Sequence, residues 1–192
     1  MNKGRLEAFS DGVIAVIITI MVLELHAPHG VDLDAVRELA PNFCAYVLSF
    51  AFIGIYWNNH HHMLHMASRV NGRILWSNLH LLFWLSLVPI ATAWMGENHL
   101  EPLPTAIYGV VLLCSGVAYL FLQWAIIAEQ GENSKLREAI GDDRKGRLSA
   151  LMYSTAIGVA WVSTWAAQAI FLGVALVWVI PDRRIEARLR GE

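Results

Sequence analysis

The chain has 192 residues, 56% of them hydrophobic and only 16% charged, with a net charge of -2 at pH 7. Water-soluble domains carry about 25% charged residues, so this composition excludes an ordinary soluble domain and indicates an all-α membrane protein. With a pI near 6.4 and no basic stripe, nothing in the charge pattern supports nucleic-acid binding.

The length fits a single domain spanning residues 1–192. Its first apolar run extends from Leu6 to Leu23, with Arg5, Glu7 and Asp11 at the start and Glu24 at the end. Projected at about 100° per residue with Val13 at zero, Val16, Thr19, Ile20 and Leu23 fall at roughly 300°, 240°, 340° and 280°. They form one band, about 100° wide, which we take to face a symmetry axis. Ala8, Gly12 and Ala15 lie at roughly 200° to 260° and let a neighbouring backbone approach. Glu7 and Asp11 point away from the band. No small-residue cleavage site follows Leu23-Glu24-Leu25-His26, so this helix is expected to be retained and not removed as a leader.

Charge-free stretches mark the later spans. Nothing charged occurs between Leu39 and Ser68, between Ile74 and Gly96, between Pro102 and Ala128, or between Leu148 and Pro181. Each of the first three exceeds the roughly 20 residues a helix needs to cross the hydrocarbon. The last would be about 51 Å long as one helix, which is too long for one span.

The side on which Arg183, Arg184, Arg188 and Arg190 fall resolves that stretch. With both termini cytoplasmic, all 14 Lys and Arg except Arg37 lie inside, as positively charged loops prefer. A single final span would send those arginines outward. We therefore expect two short helices turning near Trp161 to Trp165, giving six transmembrane helices in a multi-pass protein of the cell membrane. The segment from His26 to Ala40 is read as external, with a short surface helix from Asp32 to Leu39. Glu97, His99 and Glu101 form a second external turn, and Glu129 to Arg147 a cytoplasmic connector. Cys44 and Cys114 sit inside apolar runs and read as packed thiols.

Polar residues within the spans carry the functional signal. An ionised group at the bilayer centre costs about 2.5 to 3.5 kcal/mol on insertion scales, so Asp11 needs partners. Arg5, Ser10, His60, Trp76 and Asn78 are the candidates on the same inner half. The run Asn58-Asn-His-His-His-Met-Leu-His65 places His61 and His65, or His62 and His65, on one helical face, as a metal or haem site would require. The plainer reading is a polar helix end hydrogen-bonding across the bundle. Protonation of these histidines would make it pH-sensitive.

The sequence also carries a resemblance. The element Arg5-x-x-x-Phe9-Ser10-Asp11-Gly12, followed by a Thr-containing apolar helix, resembles the first-helix signature of the transmembrane protein 175 potassium channels in their single-repeat prokaryotic form. Trp57-x-x-His60, the run Leu75-Trp76-Ser77-Asn78-Leu79 with Pro89 and Thr92, and the ending Trp178-Val179-Ile180-Pro181-Asp182-Arg183-Arg184 are similar too. The resemblance implies a homotetramer in membrane lipid whose first helices line a central pore. It makes Arg5, Phe9, Ser10 and Asp11, with His60, Trp76 and Asn78, a motif that locks helices together. It places the gate at Val16, with Thr19 one turn and Leu23 two turns beyond. Where the family often has Ile or Leu at the gate, this chain has the shorter Val16.

No Thr-Val-Gly-Tyr-Gly carbonyl loop or acidic ring is present, which excludes two known filter designs. Stacked rings of Val16, Thr19, Ile20 and Leu23 would instead form a narrow apolar constriction with one hydroxyl ring. Potassium, which holds its water less tightly than sodium, is favoured there, and apolar rings close by dewetting. Potassium and other monovalent cations are the expected permeant species, with no resident cofactor or metal. No nucleophile, base and oxyanion arrangement suggests an enzyme. Two rival readings remain: a haem- or metal-binding oxidoreductase built on His60 to His65, and a proton-coupled transporter using Asp11 or Glu24.

Overall fold

The computed structural model describes residues 2–28, 30–131, 134–141 and 143–179. The described residues fold into helices: α1 (Lys3–Leu23), α2 (Leu33–Met66), α3 (Gly72–Ser86), α4 (Val88–Glu97), α5 (Pro102–Gln130), α6 (Lys135–Ile140), α7 (Arg144–Val159) and α8 (Thr164–Val179). The C-terminal arginines used in the sequence argument lie outside the described residues.

Local chemistry starts and stops these helices where the sequence supplies it. Asn2, Asp32 and Asn71 cap α1, α2 and α3 by accepting from the backbone N–H groups of Gly4, Ala35 and Ile74, which satisfies donors that the first turn leaves unpaired. Asp32 to Leu39 does not form the expected separate surface helix but is the first part of the 34-residue α2. Pro41 lies inside that helix and removes one hydrogen bond, to the carbonyl of residue 37. The helical path nevertheless continues through it to Met66.

Helices α3 and α4 together form one apolar rod from Gly72 to Glu97, broken at Leu87. Pro89 sits in the first turn of α4, where its missing N–H is harmless. Four rods are long and apolar enough to cross a membrane: α1, α2, α3 with α4, and α5. Helices α7 and α8 are shorter, with 16 residues each, about 24 Å at 1.5 Å per residue. They are joined by Ala160–Ser163, which overlaps the expected turn.

Cross-links show how the rods are stacked. Lys3 Nζ donates to the carbonyl of His65 at 2.6 Å, and Gln130 Nε2 donates to that of Met66. The start of α1 and the ends of α2 and α5 therefore share one end of the bundle. At the other end Gln168 Nε2 reaches Met95 Sδ at 3.0 Å, joining the start of α8 to the end of α4. Trp178 Nε1 donates to Ser149 Oγ at 2.7 Å, so α8 returns alongside the start of α7. One apolar core collects Ile14, Phe52, Leu81, Leu112, Tyr153 and Phe171 from these rods.

Close approach is built in at Gly96, where an added Cβ would lie 2.8 Å from Asn42 Cα. The same region is fastened by hydroxyls. Thr92 donates to the carbonyl of Val88 at 2.7 Å and lies 2.7 Å from Ser49 Oγ, which lies 2.9 Å from Tyr108 Oη. Since the Thr92 proton is committed to its own helix, Ser49 donates to Thr92 and accepts from Tyr108. This relay joins α4, α2 and α5 with every proton used.

Candidate functional site

Helix α1 has two opposite faces. Leu6, Ser10, Ile14, Ile17 and Met21 are buried against the rest of the chain, and by the same projection they fall at roughly 20° to 100°. The band lies across the helix from them. Val16 is 54% exposed, Ile20 41% and Leu23 77%, and Thr19, Gly12 and Ala15 are exposed as well. An apolar stripe that is open along its length, on a helix anchored firmly by its other side, requires an apolar surround or copies of itself. Thr19 Oγ1 donates its proton to the carbonyl of Val16 at 2.9 Å. The hydroxyl oxygen therefore presents lone pairs, and no proton, away from its helix.

The anchoring face carries a directed polar chain. Ser10 Oγ donates to the carbonyl of Leu6 at 2.9 Å, and Asn78 Nδ2 donates to Ser10 Oγ at 2.9 Å. With the amide nitrogen so used, Asn78 Oδ1 is left to accept from His60 Nε2 at 2.7 Å. His60 is thus the tautomer protonated at Nε2. All three side chains are buried, and they tie α1, α3 and α2 together. His60 Nδ1 is the one buried side-chain polar atom without a partner among the described residues.

Asp11 belongs to a second tie that the sequence reasoning did not anticipate. Its Oδ1 accepts from Trp57 Nε1 at 3.1 Å, and Trp57 was not among its candidate partners. The signal was present, because Trp57 lies three residues before His60 and so near it on α2. The rest of the motif lies elsewhere. Arg5 is exposed, Phe9 is 53% exposed and Trp76 75%. The structure thus joins Ser10, His60 and Asn78, gives Asp11 to Trp57, and leaves Arg5, Phe9 and Trp76 on the outside of the chain.

The helix separates His60 from the other histidines of the run, whose rings meet at His61. His60 turns inward to Asn78, His61 lies 3.8 Å from Glu7 Oε1, and the rings of His61 and His65 stack with centroids 6.3 Å apart. Among the described residues no group of three or more His, Cys, Asp or Glu is placed to hold a metal ion.

A bundle with four membrane-length apolar helices, internal polar ties and an uncovered apolar stripe is a polytopic helical membrane protein. Comparison with known proteins gives the family. The profile described as endosomal/lysosomal potassium channel TMEM175 matches residues 5–89. A potassium channel of Chryseobacterium sp. (strain P1-3) is 52% identical over 190 residues, covering 99% of both chains. Another potassium channel, from Streptomyces collinus, is 31% identical over 85% of each. The crystal structure of a lysosomal potassium-selective channel TMEM175 homolog from Chamaesiphon minutus superposes with a TM-score of 0.83 at 25% identity, covering 94% of this chain and 97% of that one. The chain belongs to the TMEM175 family.

Proposed function

We propose that this protein is a potassium-selective channel of the cell membrane, a homotetramer in which four α1 helices line a central pore. The observation that carries the reading is the uncovered stripe of Val16, Thr19, Ile20 and Leu23 on a helix whose opposite face is buried. One helix encloses nothing, so identical chains around an axis are required. That the Chryseobacterium and Streptomyces relatives are potassium channels supports potassium as the permeant ion.

In this reading each chain crosses the membrane six times, counting α7 and α8, with both termini cytoplasmic. Val16, Ile20 and Leu23 form apolar rings in which water is sparse, and a passing cation sheds part of its hydration. The four Thr19 oxygens, their protons committed to the backbone, replace some of that water. Sodium, more tightly hydrated, is disfavoured. Passive conduction of this kind needs no resident cofactor, only potassium and other monovalent cations as permeant species. The Ser10, Asn78, His60 chain and the Asp11 to Trp57 bond act as locks that hold α1 in register.

The test is potassium flux into liposomes containing the purified protein. Val16→Asn makes the gate ring hydrophilic and raises the flux severalfold at rest, while Thr19→Val lowers the potassium-to-sodium ratio. Flux identical to wild type in both variants contradicts the proposal.

A further inference from the structure

Away from α1, a partly open cavity lies between α2, α5, α7 and α8, with Phe52, Tyr56, Gly116, Gln123, Tyr153 and Trp178 among its walls. Its volume is about 50 Å³, room for about three to five water-sized bodies at about 10–15 Å³ each.

Three side chains make it a built site. Gln123 and Tyr153 are each 4% exposed and Tyr56 9%, yet neither phenol hydroxyl nor the carboxamide has a hydrogen-bond partner among the described residues. Among the described residues only His60 Nδ1 is sealed off without a partner, so these three polar groups open into the cavity space. Three polar groups without a protein partner around one cavity call for an occupant that can hydrogen-bond to them. The neighbouring polar side chains are already committed: Tyr119 to the carbonyl of Asn59, Ser149 to that of Lys145, and Asp143 to the amide of Gly146.

We propose that this cavity binds a short-chain alcohol, a neutral molecule of about three to five heavy atoms, the size of the space, with one hydroxyl. The hydroxyl both donates and accepts, which suits Gln123 and the two phenols, and no unpaired charge on the walls calls for an ion. Phe52, Leu113 and Trp178 accommodate the alkyl part, which water alone would leave unmatched. Phe52, Tyr56 and Asn59 on α2 face the cavity, whereas Trp57 and His60 on the same helix hold the locks to α1 and α3. An alcohol in the cavity therefore bears on the helix that positions α1.

Gly116 supplies the discriminating variant. A Cβ added there would lie 3.7 Å from Tyr56 Oη and 3.9 Å from Tyr153 Cε2, ordinary contact, so Gly116→Ala folds normally while taking up cavity space. The probe is 2-bromoethanol, located by bromine anomalous scattering in crystals of the full-length protein and titrated in solution by saturation-transfer NMR. The expected result is one bromine per subunit against the apolar walls, with the hydroxyl in reach of Gln123, and a solution affinity reduced at least about fivefold by Gly116→Ala. Gln123→Leu, which removes one hydrogen bond, weakens binding roughly 2- to 10-fold. Wild-type crystals with only water in the cavity, binding at crystal concentration only, or binding indifferent to Gly116→Ala would each overturn the assignment. None of these readouts depends on ion conduction, so the proposal fails or stands separately from the channel reading.

Discussion

Asn78 does two jobs with one amide, donating to Ser10 and accepting from His60. Asn78→Leu keeps the volume, leaves the buried His60 Nε2–H without an acceptor and takes from Ser10, which still donates to Leu6, only the bond it accepts; the one unsatisfied donor costs about 1–3 kcal/mol. The expected outcome is a markedly lower melting temperature of the purified protein; an unchanged one contradicts the lock. Asp11 is held differently, by the half-exposed indole of Trp57. Asp11→Ala is expected to abolish assembly or expression, read from the yield and elution of detergent-solubilised protein. A variant that assembles normally and changes only ion selectivity would make Asp11 an ion ligand instead.

Among the helices, the close crossing of α4 over α2 depends on Gly96. Gly96→Ala sets a methyl 2.8 Å from Asn42 Cα, and because backbone cannot step aside as a side-chain tip can, about 1–3 kcal/mol of overpacking is expected in a thermal unfolding assay. The α7–α8 hairpin makes its own prediction. Val162 is 89% exposed at the turn, so Val162→Cys, in a background with Cys44 and Cys114 replaced, reacts in whole cells with a membrane-impermeant thiol reagent. Protection of that cysteine would place the turn inside. The four long apolar rods were legible in the sequence, because long charge-free runs are a direct consequence of hydrocarbon and its cost to charge. The continuity of α2 was not, since Asp32 to Leu39 read as a separate short surface helix and nothing local shows that a helix passes through Pro41. The partner of Asp11 was hidden for a related reason. Trp57 is 46 positions away, and which faces of α1 and α2 meet depends on how the two helices rotate when packed.

For the whole molecule, conduction depends on where the uncovered stripe of α1 faces. The projection of α1 separates Val16 and Leu23 from Val22, which falls near 180° at about 100° per residue and is also exposed, at 47%. Exposure in one chain therefore does not distinguish a pore position from a lipid-facing one, whereas assembly around an axis does. The most direct measurement is cadmium block of potassium flux in cysteine-free protein carrying Val16→Cys, Leu23→Cys or Val22→Cys. A central pore lined by four α1 helices brings thiols together at the first two positions, so cadmium stops flux in Val16→Cys and Leu23→Cys and leaves Val22→Cys conducting. Conduction untouched by cadmium in both on-stripe variants, or block confined to Val22→Cys, would contradict a pore lined by this stripe.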